Sequence, residues 1–599
     1  MINEIKSKSA PSTPPRITLN KEAFEEGLKD HPDVDRAKEF IDKLFINGWK
    51  ITNNPIDTKG NPNNYKLSKK YVREALRQII GHLDKDSLWG PFESTSIPTQ
   101  LQGGATWPIF FRDESDATRE KYRMLINMSD ELEDQPLNGF VEDDEKSIVY
   151  QTITEVCEWI VSLGLIFLFT ADVKDAFHLI PISTDQIKYN GIQICGLLFF
   201  WTTLVFGLAS SCAIWGEFAL MITWIIIYNA IGIFIYKGRE LLRQYADDWI
   251  GGHINVDLAT AQFRKLLFWW NKLGIPYEKK KLESPKRDVD YIGYNLETYN
   301  YTLGLSQKRL LKYTNTINNV LESFKGQNKA KVSVGILRTL VGQLRSTTVV
   351  YPLIVPWIRP FEALICKYSE KKDKFKLEKL NTKHKECLCK LKKMLNDPKL
   401  KRRKMKSVAD FKQTFDYTIL TDASTSKGMG GFVNEPRGDY FKFMWQESKQ
   451  FRQLNAKPDI IWMELAAVVT AVGLFKQKCH GKTILVRCDN QTVVGIVRRK
   501  TACLKRKDLL ELVKTLCVYL LEHHIELKIV HIAGTKNVVA DKLSRNVMDI
   551  DFDLATTPTL CSRMAENYLA KFAMLTAQRQ KKRCDCNNLF VCKRHNGLS

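Results

Sequence analysis

Two apolar segments that each run into aspartates constrain the fold of this chain most. The run LIFLFTADVKDAF breaks into Asp172 and then Asp175, and about 75 residues later QYADDWIGG places Asp247 and Asp248 at a tight turn. Apolar runs of this length bounded by turn residues predict strands, and the Asp-Asp turn predicts a hairpin. A solitary Asp-Asp pair is most often an ordinary turn. The second strand-borne aspartate upstream instead favours a cluster of carboxylates.

Such a cluster has a definite chemistry. Hard cations such as Mg²⁺ take oxygen ligands, and two ions about 4 Å apart can clamp the attacking and leaving oxygens of a phosphoryl transfer. The sequence therefore predicts a two-metal site at Asp172, Asp247 and Asp248.

Motifs over residues 105 to 295 resemble those of reverse transcriptases, in the expected order. YADD is similar to the signature of that family, and ADVKDAF is similar to the strand that carries its first catalytic aspartate. The resemblance implies a right-hand polymerase with fingers, palm and thumb. It also implies that Asp172 and Asp247 are the principal ligands of two Mg²⁺ ions, with Mn²⁺ as a substitute, and that Asp248 completes the triad.

The same resemblance implies a set of substrate contacts. KYRMLIN is similar to the fingers strand whose arginine grips the incoming nucleotide, and FGLASS to the template-contacting glycine motif. Phe177 takes the position of a steric gate against a ribose 2′-OH, although packing in the core is the alternative. GIPYEKKKLESP followed by YIGY resembles the lysine motif and primer grip, and its spacing favours Lys280, with Lys281 as a close rival. The implied substrate-binding residues are Arg112, Lys121, Arg123, Phe177, Gly207, Tyr245 and Lys280.

Four positions depart from the family pattern. Val205 and Phe206 stand where many members have Pro and Phe or Gln, Cys212 stands where Pro is common, and Asn127 replaces a frequent Asp. These departures put fidelity and template contacts in doubt, but not the metal chemistry.

A second α/β unit is predicted from about Phe415, and it carries four more acidic residues. They are Asp422 in LTDASTSKGMGGF, Glu464 in WMELAAV, Asp489 in VRCDNQTVVGI and Asp541 in HIAGTKNVVADKLSR. Each alone is most simply a solvated surface charge. Together, on a strand, a helix, a strand and a helix, they could hold two Mg²⁺ ions for phosphodiester hydrolysis.

These local sequences resemble RNase H, which implies cleavage of RNA in RNA/DNA hybrids. Retroviral enzymes carry a His in the loop before the last Asp, whereas here the loop reads AGTKN. His531 is near but belongs to the preceding predicted strand. We expect activity with slower or differently gated product release.

The charge of the chain points to a polyanionic partner. Lys and Arg outnumber Asp and Glu by 90 to 67 in 599 residues, and about half of the excess lies between Lys371 and Lys406. Such a cluster can neutralise backbone phosphates, although a purely solubilising excess is the alternative. With the resemblance, the expected partners are an RNA template, RNA/DNA hybrid, DNA primer–template and dNTPs.

The expected fold class is multidomain α/β: a right-hand polymerase followed by an RNase H-like domain. The predicted divisions are a partly disordered N-terminal extension (1–60), fingers and palm (61–300), thumb (301–370), basic connection (371–410), RNase H domain (411–548) and tail (549–599). The tail holds Cys584, Cys586, Cys592 and His595, which could bind Zn²⁺ or remain reduced and unstructured.

Residues Phe218 to Tyr236 form a 19-residue stretch without a charge, long enough for a membrane span. Its place between two polymerase motifs favours a buried helix and strand instead. Without a signal peptide at its polar start, the chain is expected to be intracellular, with no membrane partner.

Among relatives, the motifs and short spacer resemble retrotransposon enzymes, most of all DIRS-like elements that use a tyrosine recombinase; gypsy-type and pararetroviral polymerases are similar. A catalytically inactive polymerase/RNase H-like scaffold in an RNA–protein assembly is the alternative function. The seven carboxylates disfavour it, because an inactive scaffold has no need of them.

Overall fold

The structure is a computed structural model and describes residues 1–16, 18–61, 63–114, 120–130, 135–368, 371–405, 414–435, 438–503, 505–547, 555–556 and 561–575. The chain forms two compact units. The first comprises Met1–Leu303 and Lys404–Val408, and the second Gly304–Arg403 and Ala409–Ser599. The finer six-part division expected from the sequence stays a prediction.

The first unit mixes helices with short strands. Its helices are α1 (Ile2–Ser7), α2 (Lys21–Leu28), α3 (Val34–Asp42), α4 (Lys69–Leu83), α5 (Ile153–Leu163), α6 (Ser211–Tyr228), α7 (Ile231–Phe234) and α8 (Val256–Leu273). Its strands are β1 (Leu88–Phe92), β2 (Ile109–Asp113), β3 (Tyr122–Ile126), β4 (Phe167–Asp172), β5 (Gly191–Ile194), β6 (Leu197–Trp201), β7 (Ile235–Tyr236), β8 (Arg239–Glu240), β9 (Leu242–Tyr245), β10 (Asp248–His253), β11 (Glu283–Lys286), β12 (Asp288–Tyr291) and β13 (Tyr294–Glu297). The strand β14 (Thr302–Leu305) lies where the first unit passes into the second.

A four-stranded antiparallel sheet in the order β11-β4-β10-β9 carries the Asp-Asp turn. The predicted hairpin is present as β9 and β10, with Ala246 of the turn in the left-handed region at φ 50°. Helices α6 and α8 pack on this sheet, and Trp249 of β10 contacts Trp215 of α6 and Trp270 of α8. These indole contacts anchor the hairpin that positions the carboxylates.

Helix α6 covers the first part of the uncharged stretch from Phe218 to Tyr236. Among the described residues it is the one helix long and apolar enough to cross a membrane. Most of its side chains are buried, Phe218 and Ile222 among them. The rest of the stretch forms α7 and β7, so the segment contains the helix and strand that the sequence predicted.

A few contacts hold the first 16 residues, which belong to the extension that the sequence predicted to be partly disordered. Ile5 is fully buried, and Trp89 Nε1 donates to the Pro11 carbonyl at 2.9 Å. The guanidinium of Arg16 donates to the Phe45 carbonyl at 2.6 Å. These contacts hold parts of a polar segment whose composition gives no sign of them, and the partial disorder of the extension stays a prediction.

The second unit begins with helices and ends in an α/β layer. Its helices are α9 (Gln307–Glu322), α10 (Val334–Thr347), α11 (Val355–Ile365), α12 (Thr382–Asn396), α13 (Lys449–Arg452), α14 (Ile460–Phe475), α15 (Gln491–Arg499), α16 (Lys507–Glu522) and α17 (Val538–Ser544), and residues 561–575 are also helical. Its strands are β15 (Ala330–Ser333), β16 (Leu377–Leu380), β17 (Arg402–Lys404), which ends at the boundary, β18 (Tyr417–Ala423), β19 (Gly428–Val433), β20 (Asp439–Met444), β21 (Thr483–Cys488), β22 (Glu526–His531) and β23 (Ala555–Thr556).

Six of these strands form one sheet in the order β22-β21-β18-β19-β20-β23. The central strand β18 is antiparallel to β19 and parallel to β21, which is parallel to β22. The strand β18, helix α14, strand β21 and helix α17 give the strand, helix, strand and helix that the sequence predicted for the four acidic residues. The mixed α/β class expected from the sequence is confirmed.

Candidate active sites

Three carboxylates meet at the turn between β9 and β10. Asp172 ends β4, is only 5% exposed, and lies opposite Asp248 in the antiparallel register. Asp247 occupies the turn itself, and its carbonyl accepts a hydrogen bond from the Val173 N–H at 2.9 Å. The structure therefore brings together the three aspartates that the sequence selected.

Burial and neighbouring negative charges raise the cost of ionising Asp247 and Asp248. Burial raises the pKa of Asp247, and the charge of Asp172 raises it further. Burial, followed by the charges of Asp247 and Asp172, raises the pKa of Asp248 to about 8. A buried group of like charges is relieved by bound cations. Its donors are all carboxylate oxygens, which suits Mg²⁺ or Mn²⁺, and Asp172, Asp247 and Asp248 would hold the ions.

One lysine reaches these carboxylates. Lys281 Nζ lies 2.6 Å from Asp172 Oδ2. Lys280 is its neighbour in the same short 3₁₀ turn and is exposed. Of the two lysines left open by the spacing, the favoured Lys280 is therefore not the one that the structure places against the aspartates.

The three basic fingers residues converge on one acid. Arg112 of β2 faces Arg123 of β3 in the hairpin register. The side chains of Arg112, Lys121 and Arg123 lie 4.0, 3.5 and 3.3 Å from Glu114. The sequence analysis did not single out Glu114, and no local pattern sets it apart from Asp113 and Glu120 of the same hairpin. Glu114 therefore holds the three cations together on one hairpin.

Arg123 also belongs to a stack that leads to the predicted gate. Its guanidinium lies 4.6 Å from the ring centroid of Phe206, and that ring lies 4.8 Å from the ring of Phe177. Arg123 is close enough to lower the pKa of Asp247 slightly, against the larger effect of burial. The half-buried Phe177 is thus linked to the fingers arginine through Phe206, which the sequence analysis noted only as a departure.

Gly207 sits where its backbone must approach another strand closely. Its φ is +121°, and a Cβ there would lie 1.8 Å from the Ile126 carbonyl oxygen. The Ile126 N–H donates to the Phe206 carbonyl at 3.0 Å, which ties β3 to this loop.

Tyr245, the last predicted substrate contact, ends β9 opposite Asp248, and its ring lies 4.8 Å from that of Tyr150.

The second site lies on the six-stranded sheet. Asp422 lies near the end of β18, and Asp489 directly follows the neighbouring parallel strand β21. Glu464 of α14 accepts a hydrogen bond from the Ala423 N–H at 3.2 Å, which places it beside Asp422. Asp541 of α17 forms an ion pair with Arg545 at 2.7 Å. The four predicted residues therefore come from the two strands and two helices expected.

Their electrostatics join all four groups. Burial, then the charges of Asp422 and Asp489, raise the pKa of Glu464 to about 9. Burial raises the pKa of Asp422 to about 6, against a hydrogen bond from Ser544 and with further increases from Asp489 and Asp541. Burial also raises the pKa of Asp489, against the lowering effects of its backbone hydrogen bond and His531. These four carboxylates, whose charges act on one another, would together hold two Mg²⁺ ions.

Two uncharged side chains at this site were not anticipated. Ser544 Oγ donates to Asp422 Oδ2 at 2.5 Å. The Cys488 thiol lies 3.8 Å from Glu464 Oε2, and the donor atoms of Glu464, Cys488 and Asp489 lie within 4.8 Å of one another. Alternation along β21 was a usable signal for Cys488, because Ile484, Val486 and Cys488 share its buried face. The tail residues Cys584, Cys586, Cys592 and His595 lie outside the described residues.

Comparisons with known proteins give a limited result. No protein-family model and no curated protein matches this chain. A foamy viral protease-reverse transcriptase solved with double-stranded DNA is 15% identical over 88% of this chain and 85% of that chain, with a TM-score of 0.42. The foamy viral protein in complex with RNA/DNA hybrid is 13% identical over 89% of this chain and 87% of that one, with a TM-score of 0.38. Similarity at this level carries no argument about activity.

Proposed function

We propose that this protein is a reverse transcriptase: an RNA- and DNA-templated DNA polymerase with RNase H activity that replicates a retroelement inside the cell. The observation that carries the proposal is the pair of partly buried carboxylate clusters in one chain. One joins Asp172, Asp247 and Asp248 on the palm-like sheet, and the other joins Asp422, Glu464, Asp489 and Asp541 on the RNase H-like sheet. The closer DIRS-like assignment rests on sequence motifs alone.

In nucleotide addition, each group has a separate role. Bound Mg²⁺ ions would activate the primer 3′-oxygen and stabilise the leaving pyrophosphate. Arg123, with Lys121 and Arg112, would bind the triphosphate of the dNTP, because their charges lie together on one hairpin. Phe177 would exclude a 2′-OH by its ring. Lys281, whose Nζ lies 2.6 Å from Asp172 Oδ2, would offer a proton to the reacting phosphates.

In RNA cleavage, the second cluster works on the template strand. Asp422, Glu464 and Asp489 would hold the ions, and Ser544 fixes the Asp422 carboxylate by its hydrogen bond. Asp541 sits on the short helix α17, where Arg545 pairs with it. The exposed lysines of residues 383–404 would bind backbone phosphates of the hybrid.

The direct test is extension of a labelled DNA primer on an RNA template by the full chain. We expect dNTP addition that requires Mg²⁺ and stops with a chelator. A protein that binds the primer–template but adds no nucleotide under any divalent cation would match the inactive scaffold instead.

The predicted gate can be tested by removing the ring of Phe177. In Phe177→Val, rNTPs should be incorporated more readily, and the dNTP/rNTP preference should fall by about ten-fold or more, because shape alone then rejects the 2′-OH poorly. The measurement is steady-state incorporation of each nucleotide class. Phe177→Tyr is the matched control: it keeps a ring beside Phe206 and should keep the preference. An unchanged preference in Phe177→Val would show that Phe177 is only a packing residue.

The basic segment can be tested through the salt dependence of binding. Lys401, Arg402 and Lys404 are exposed, whereas Arg403 is half-buried and donates to the Val349 carbonyl at 3.0 Å. Changing the three exposed residues to Gln, with Arg403 retained, should weaken hybrid binding equally for different base sequences. The slope of log affinity against log salt should flatten by about two to three units, one for each lost phosphate contact.

Fluorescence titration of a labelled RNA/DNA hybrid at several salt concentrations measures that slope. Arg403→Gln alone serves as the control and should alter stability more than the slope, since its guanidinium is engaged with the backbone. A triple variant with the slope of the wild type would show that this cluster faces solvent only.

A further inference from the structure

Tyr291 ends β12 with a hydroxyl group that is buried and has no hydrogen-bond partner. Its side chain is 2% exposed, and the hydroxyl oxygen is inaccessible to solvent. Buried polar groups are almost always paired, and an unpaired hydroxyl destabilises the fold that contains it. The stability of the fold therefore does not explain why a hydroxyl group is present at Tyr291.

The position of Tyr291 suggests a reason. β12 packs against β4, the strand that ends in Asp172, and β4 pairs with β10, which begins at Asp248. The neighbouring groups that act on the hydroxyl are Asp248 and Tyr245: burial first, then these two, raise the pKa of Tyr291 well above its ordinary value. The Tyr291 hydroxyl is therefore a buried, unpaired donor on a strand packed against β4, which carries Asp172.

The three carboxylates differ in the stabilising contacts that they receive. Asp172 has the Lys281 ammonium at 2.6 Å. Asp248 is flanked by two like charges, those of Asp247 and Asp172. An O–H donor close to Asp248 would oppose that repulsion and would hold its carboxylate in one orientation.

We propose that Tyr291 is a positioning residue of the polymerase site, whose hydroxyl donates a hydrogen bond to the Asp248 carboxylate in the working enzyme. This inference rests on the function proposed above. Tyr291 begins YIGY, the segment that resembles the primer grip, but its hydroxyl is inaccessible to solvent and so acts through Asp248. Its loss should lower the rate of the chemical step and weaken metal binding without changing the affinity for nucleotide or primer–template.

The test is Tyr291→Phe in the full chain, which removes the oxygen alone. We expect kcat for primer extension to fall by about ten-fold, the value of one hydrogen bond to a charged group. The KM for dNTP and the Kd for primer–template should stay within about two-fold, and the Mg²⁺ concentration for half-maximal rate should rise. Without metal, the Tm should be unchanged or higher, because phenylalanine leaves no unpaired hydroxyl. Tyr440→Phe, at a buried tyrosine of the nuclease sheet, is the matched control and should leave extension unchanged.

Two results would overturn the inference. One is a Tyr291→Phe protein with the kcat and Mg²⁺ requirement of the wild type. The other is a lowered Tm, since it would reveal a structural partner for the hydroxyl. Failure of the wild type to extend any primer would instead refute the proposed function, so the two failures are distinguishable.

Discussion

Asp247→Asn is expected to abolish DNA synthesis while leaving the fold and template binding intact. The substitution keeps the size of the side chain but removes one charged ligand from a site that depends on three carboxylates. The loss of transition-state stabilisation should be several kcal/mol, which corresponds to a rate lower by about a thousand-fold or more. Because Asp172 repels Asp247 in the folded protein, the Tm without metal should be unchanged or higher.

Steady-state primer extension, together with hybrid affinity and Tm, measures these effects. Asp257→Asn is a suitable control, because Asp257 is exposed in the first turn of α8, ten residues along the chain. It should extend primers like the wild type. Extension by Asp247→Asn at about a tenth of the wild-type rate or more would contradict its role as a metal ligand.

Asp489→Asn is expected to end cleavage of RNA in an RNA/DNA hybrid and to leave primer extension unaffected. Asp489 is one of the two aspartates whose charges raise the pKa of Glu464, and its substitution removes one charged ligand from the set of four carboxylates. The expected loss of cleavage is again about a thousand-fold. Asp172, Asp247 and Asp248 belong to the other compact unit and are left unchanged by this substitution.

Two assays on the same preparation measure whether the activities are separate. One follows the shortening of RNA in a labelled hybrid, and the other follows primer extension. Asp247→Asn provides the reciprocal control, because it should cleave RNA like the wild type while it makes no DNA. Loss of both activities in a well-folded Asp489→Asn protein would argue against independent sites.

The features that the sequence predicted most reliably are those that depend on local residue patterns. Apolar runs ending in Asp172, Asp422 and Asp489 became strands, and the turn at Asp247 became the hairpin. These features depend on alternation and turn chemistry within a few residues, so they do not need knowledge of the packed chain.

Contacts set by tertiary packing were harder to foresee. Motif spacing favoured Lys280, but the orientation of a 3₁₀ turn decides which lysine reaches Asp172, and it presents Lys281. The path from Arg123 through Phe206 to Phe177 joins segments about 30 to 80 residues apart, and no local pattern records it. The unpaired hydroxyl of Tyr291 is visible only once β12 lies against β4.

The most direct test of the account follows both strands of one substrate. A DNA primer and its RNA template, each labelled at the 5′ end, are incubated with the full chain, Mg²⁺ and either dNTPs or NTPs. We predict that dNTPs give a growing DNA strand and a shortening RNA strand in the same reaction, whereas NTPs give little growth. DNA growth without RNA shortening, growth with NTPs as fast as with dNTPs, or no change in either strand would contradict a reverse transcriptase with RNase H activity.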